Sequence, residues 1–273
     1  MTDTVPDRGQ IIANLSDQWD ALARLVDGLD ESAWRTASSL PGWTVFDVIA
    51  HVIGTELVLM GEYPPEADVS GFAHVRNEIG ALNEKWIEAL RPLSGTALLE
   101  RFREITDRRL KVLADMDDAA WAEPGPSPVG LVPYGRFMRI RIFDCWMHEH
   151  DIADGLRVAV DEGGPRAEAA FAELIFGIGR SVVKGAGAPD GSRVTFELGG
   201  PSPRTVHIAV AGGRANPVET LDGPATVVVG MESGLFARLR GGRTSADAHI
   251  DEIAVSGDTE LGNRLVRNLA FTI

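Results

Sequence analysis

Cysteine is nearly absent from this chain: one residue, Cys145, in 273. A single thiol excludes an intramolecular disulfide and leaves the redox compartment otherwise open. Positive charge is also scarce, with 26 Lys and Arg against 40 Asp and Glu and a formal net charge of -14. Nucleic-acid binding rests largely on Lys and Arg neutralising phosphates, so neither nucleic acid nor an anionic membrane is an expected partner. No apolar run approaches the roughly 18 residues that suggest a membrane span. The opening MTDTVPDRGQ carries acids and no apolar core of signal-peptide length, so a soluble cytoplasmic protein is expected. Internal repeats and low-complexity tracts are lacking as well.

The length points to two domains. From about residue 8 to 117 the apolar pattern is helical, starting with Ile12, Leu15, Trp19, Leu22 and Leu25 at three- and four-residue steps. Thr44, three before Asp47, opens a second helix over TVFDVIAHVIGTELVLM, which carries His51. A third helical region breaks near Pro92 and Gly95 and resumes, as one broken arm or two helices. AEPGPSPVGLVPY, residues 122–134, reads as a long proline-rich loop. The helix GRFMRIRIFDCWMHEHDIADGL follows, with Gly155 as its expected cap. Four long helical segments imply an antiparallel bundle over 1–158.

Beyond a boundary near 157 to 163 the texture changes. A helix over about 165 to 184 precedes two strands in which Val194, Phe196 and Leu198, then Val206, Ile208 and Val210, alternate with other residues. ATVVVG and AHIDEIAVSG read as further strands, MESGLFARLRGG as a short helix, and DTELGNRLVRNLAFTI as a terminal helix with Leu261, Leu265 and Leu269 on one side. Residues 159–273 therefore form a smaller α+β domain.

Two of the six histidines fall in DCWMHEHDI, residues 144–152. On a helix Asp144, His148 and Asp151 share one face and His150 turns away, exposed or toward the other domain. His51, among apolar neighbours on the second helix, is the natural third ligand. The spacing alone fits a metal site and a metal-free acid–histidine pair equally. Asp151 is a candidate partner that orients His148, or a helix-end acid paired with Arg157. Cys145 lies about 100 degrees from Asp144 around the helix and reads as a packing residue. His74, His207 and His249 lack partners at ligand spacing and read as structural. Arg240 and Arg243, beside glycines in LRGGR, could reach the carboxylates of a thiol cofactor or acidic substrate, or could be ordinary surface arginines. GAGAPDGS follows a helix and precedes a strand, the wrong order for a phosphate cradle.

LPGWTVFDVIAHVIGTE and RIFDCWMHEHDIADGL resemble the DinB-like metal-binding helix bundles, specifically the mycothiol-dependent maleylpyruvate isomerase family. DGPATVVVGMESGLFARLRGG and AVSGDTELGNRLVRNLAF resemble that family's C-terminal, sterol-carrier-like domain, so the likeness covers nearly the whole chain in the right order. The resemblance implies a divalent metal, typically zinc, held by His51, Asp144 and His148. The isomerase type is similar in carrying glutamate where this chain has Asp144, one methylene longer. Three protein ligands and an open position mark a catalytic site, where an entering thiol loses its proton and attacks an electrophile. The implied partners are mycothiol or another low-molecular-weight thiol and a small electrophile. Two rivals stand beside this reading: a hydrolase using metal-held hydroxide, and a non-catalytic binder of an apolar ligand with a structural metal. Iron(II), nickel or manganese also suits the ligand set. Substrate and oligomeric state are not written in the sequence.

Overall fold

The computed structural model describes residues 7–271. The chain divides into two compact units, one running to Val160 and one from Asp161.

The first unit is helical. It comprises α1 (Arg8–Val26), α2 (Glu31–Trp34), α3 (Val45–Leu59), α4 (Glu78–Leu90), α5 (Gly95–Asp115), α6 (Asp118–Ala122) and α7 (Tyr134–Leu156), with a two-stranded hairpin of β1 (Pro124–Ser127) and β2 (Gly130–Pro133) before α7. Helices α1, α3, α5 and α7 pack together, and α4 lies against α3. Their core is built from Leu15, Trp19 and Leu22 of α1, Ile49 and Val52 of α3, Phe102 and Ile105 of α5, and Met138, Ile142 and Trp146 of α7, all buried. On α1 the buried face runs through Ile11 and Val26, while Ile12 and Leu25 are half-buried, so the apolar stripe is rotated slightly from the expected one.

Local chemistry sets the helix that carries His51. Thr44 accepts from the Asp47 backbone and Asp47 accepts from the Thr44 N–H at 2.9 Å, a full capping box. Gly54 lets α4 close on α3, since a Cβ there would lie 2.6 Å from Trp86. The expected break at Pro92 and Gly95 separates two helices, α4 and α5.

Two local expectations are corrected in the helical unit. Residues 124–133 form a hairpin rather than a loop, turning through Gly130 at φ 100°. Helix α7 does not stop at Gly155: it continues to Leu156 and is capped by Arg157 in the left-handed region, φ 58°. Gly155 serves close packing instead, because a Cβ there would meet the Ala37 carbonyl at 2.6 Å.

The second unit is α+β. Helix α8 (Gly164–Phe176), the short α9 (Ile178–Arg180) and a π-helical turn (Ser181–Gly185) lead into a five-stranded sheet. Its strands are β3 (Arg193–Gly199), β4 (Arg204–Ala211), β5 (Arg214–Val218), β6 (Val227–Glu232) and β7 (Ala254–Gly257), in spatial order β5-β4-β3-β6-β7. Only the β3–β6 pair is parallel. Val194, Phe196 and Leu198 are buried with Val206, Ile208 and Val210, the period-two set the sequence displays. Helix α10 (Ser233–Arg240) brings Phe236 edge-on to Phe196 and stacked with Phe171 of α8. Helix α11 (Thr259–Arg267) packs on β6 and β7, where Gly262 meets Val255.

Strand β5 escapes the alternation pattern because it is an edge strand containing Pro217. Gly212 and Gly213, both at positive φ, make the hairpin turn that pairs it with β4. AHIDEIAVSG is not one strand: Ala246–Glu252 form a 3-10 helix, and only Ala254–Gly257 pair with β6.

Candidate metal centre

Helices α3 and α7 bring His51, Asp144 and His148 together. One ligand atom from each side chain lies within 4.8 Å of the other two. His51 Nε2 is 3.6 Å from Asp144 Oδ2, His148 Nε2 is 3.5 Å from Asp144 Oδ1, and the imidazole centroids are 4.9 Å apart. Both histidines are buried, whereas the Asp144 side chain is 34% exposed, so the cluster is open on the carboxylate side.

Asp151, one turn beyond His148, faces the imidazole rather than Arg157. Its Oδ2 lies 2.9 Å from His148 Nδ1, and its Oδ1 accepts from the Ser39 hydroxyl at 2.7 Å. The Ser39 N–H also donates to the Asp151 carbonyl, which ties the segment before α3 to α7. His148 Nε2 is thereby aimed at Asp144. His51 has no such partner: its Nδ1 is buried and makes no hydrogen bond among the described residues. The half-buried Trp43 covers this imidazole at 5.2 Å between centroids. Its indole N–H donates to the buried Glu84 carboxylate at 3.0 Å, which His74 also meets at 2.8 Å.

The electrostatics set the three groups apart. Burial works against a charged His148, but Asp144 and Asp151 outweigh it and push its pKa up to about 9. For His51 burial prevails over the attraction of Asp144 and lowers the pKa. Burial opposes ionisation of Asp144, yet His148 and Arg141 hold its carboxyl well below the usual range. Two imidazoles and one carboxylate on an open, partly exposed cluster are a donor set that suits zinc and related divalent cations.

Other candidates fall elsewhere. His150 is buried, not exposed: its Nδ1 lies 2.7 Å from the Trp146 carbonyl and its ring packs 4.1 Å from that indole. The apolar side of α7 is wide enough to take it in, which helix-face geometry alone did not indicate. Cys145 is fully buried, and burial pushes its thiol up to about 12. His207 pairs with Thr195, and His249 with Glu252 and Thr244.

Arg240 is not a surface arginine. It is fully buried, donating to the Leu174 carbonyl at 3.0 Å, the Ser181 hydroxyl at 2.9 Å and the Leu269 carbonyl, with the Phe271 ring 4.2 Å away. Burial lowers its pKa to about 10. It ties α8, the π-helical turn and the C-terminal segment together. Arg243 is half-buried and folds back on the Gly241 carbonyl at 2.6 Å.

The sequence reading missed Ser39, Trp43, Glu56 and Arg141. Arg141 sits three residues before Asp144 and contacts its Oδ2, while Glu56 follows His51 on α3. The linear signal for Arg141 is that three-residue helical spacing, which ordinary surface pairs share, and Glu56, five residues from His51, carries none.

Comparison with known proteins bears on this site. The family model described as the mycothiol maleylpyruvate isomerase N-terminal domain matches residues 15–153, and that described as the MDMPI C-terminal domain matches residues 178–264. An uncharacterized protein of Mycobacterium tuberculosis, found in two strains, is 29% identical over 160 residues. That match takes in 56% of this chain and spans about 58% of the length of the relative. A crystal structure of the mycothiol-dependent maleylpyruvate isomerase superposes with a TM-score of 0.59 at 19% identity, covering 92% of this chain and 93% of that one. A histidine-to-alanine mutant of the same isomerase matches equally. At that identity the likeness concerns the fold.

Proposed function

The chain belongs to the mycothiol maleylpyruvate isomerase family, and from that membership we propose that it is a metal-dependent enzyme using mycothiol or another low-molecular-weight thiol against a small electrophile, as an isomerase or S-transferase. The observation that carries this reading is the convergence of His51, Asp144 and His148 on an open side of the bundle. These three would hold the cation, most suitably zinc. A divalent cation there would stabilise an entering thiol as its thiolate. With Asp151 accepting from its Nδ1–H, His148 would present Nε2 to the cation. Ser39 holds Asp151 in turn. Trp43 excludes water from His51, and the exposed edge of Asp144 leaves the approach for a small molecule.

Metal content of the untagged protein, followed by titration of the cobalt-substituted protein with mycothiol, tests the reading. Near-stoichiometric metal and a sulfur-to-cobalt charge-transfer band are expected. His51→Ala and His148→Ala should each lose the metal, while His150→Ala, whose ring packs on Trp146, should keep it. Bound metal with no thiol band and thiol-independent turnover would favour hydroxide chemistry. A protein that cannot be loaded with metal would overturn the proposal and leave a small-molecule binding role.

A further inference from the structure

Beneath the cluster lies an ion network that the three ligands do not account for. Glu56 of α3 is buried, as are Arg109 of α5 and Arg141 of α7. Glu56 Oε2 accepts from Arg109 Nε at 2.9 Å, and Glu56 Oε1 meets the Arg141 guanidinium at 2.9 Å through both Nε and Nη2. Arg141 Nη1 then donates to Asp144 Oδ2. Arg109 reaches the Tyr134 hydroxyl at the start of α7.

Burying such a network costs desolvation that well-packed apolar side chains would avoid, so stability alone gives little reason for it. Its geometry supplies another. A guanidinium is a rigid plane with donors on several edges. With one edge fixed by Glu56, the opposite edge fixes the plane and rotamer of the Asp144 carboxylate, and Arg109 secures Glu56 from the far side. Oδ2, which also faces His51 Nε2 at 3.6 Å, is thereby engaged by the guanidinium, while Oδ1 remains directed at His148, 3.5 Å from its Nε2, with no hydrogen bond from Arg141.

We propose that Arg141, anchored by Glu56, is a positioning residue that takes one oxygen of Asp144 and leaves the other for the cation. The inference rests on the metal reading above. It also places a positive charge permanently beside the site, which favours an anionic over a neutral incoming ligand.

Cobalt(II) binding by the full-length protein, read as visible absorption and as affinity against a competing chelator, tests it with Arg141→Lys and Arg141→Met. Lys keeps the charge but not the plane, so cobalt should bind about 10–100-fold more weakly. Met removes both and frees Oδ2, so the visible bands of bound cobalt should lose intensity as the second oxygen joins the coordination. Wild-type affinity and spectrum in both variants would overturn the proposal. So would lower melting temperatures with an unchanged spectrum, which would assign Arg141 to the fold alone. A wild-type protein that takes up no cobalt would instead remove the metal reading itself.

Discussion

His148 is held from both sides, by Asp144 at Nε2 and Asp151 at Nδ1, while His51 meets Asp144 at Nε2 but has only packing under Trp43 in place of a partner at Nδ1. The two imidazoles therefore depend on different support. Asp151→Asn exchanges a carboxylate acceptor for an amide and leaves the donor set intact, so metal affinity should fall about 10–100-fold with stoichiometry preserved at high metal. Chelator competition on the two proteins measures this, and equal affinities would remove Asp151 from the site. Residues of the helix face were legible before any fold, because the 100-degree step of a helix alone puts Asp144, His148 and Asp151 in line. Arg240 was not, since a long polar side chain looks the same in a sequence whether its head is solvated or, as here, buried and bound through Nε and Nη1 to two carbonyls and a hydroxyl.

Helix α5 starts against α2 through two contacts. Glu31 accepts from the Gly95 N–H at 2.8 Å, supplying an acceptor for an N-terminal amide, and Gly95 leaves room for Trp34, which a Cβ would approach to 2.1 Å. The Gly95 N–H, and secondarily Arg35, lowers the Glu31 pKa. A lowered carboxylate pKa means stability that is present above the ordinary glutamate range and lost as pH falls through the lowered value. Melting curves of wild type and Glu31→Gln should therefore differ modestly at pH ~7 and converge in acid. A gap that persists below pH ~2 would show that the ionised carboxylate is not what matters. Among the elements, helices with a strong apolar period and a capping box were readable from sequence. The β1–β2 hairpin and β5 were not, because their short proline-containing segments carry no period-two signal.

All six tryptophans lie in the helical unit, from Trp19 to Trp146, and so do both tyrosines, Tyr63 and Tyr134. Intrinsic tryptophan fluorescence thus follows that unit alone. A cation bound only by the folded helical unit adds about 2.7 kcal/mol at a hundredfold excess over its Kd. The fluorescence melting transition should rise by roughly 5–10 °C on metal addition and fall again with a chelator. Hydrogen exchange of the β3 and β6 amides, which report the sheet unit, should change far less. A fluorescence transition that stays put while metal is demonstrably bound would argue that the ligands are not in the bundle.

Composition, periodicity and spacing by themselves determined a good deal: an acidic two-part chain, a helix bundle before an α+β region, and a helix face bearing an acid and an imidazole one turn apart. These are local properties, set by residues within a turn or two of one another. Tertiary structure brings His51 of α3, the third ligand expected from the sequence, to that face, and it alone decided that Ser39 and Glu84 secure its surroundings and that Glu56 and Arg141 form a buried network under Asp144. Those contacts join residues dozens of positions apart. Their existence depends on how helices cross, and no local pattern encodes a crossing.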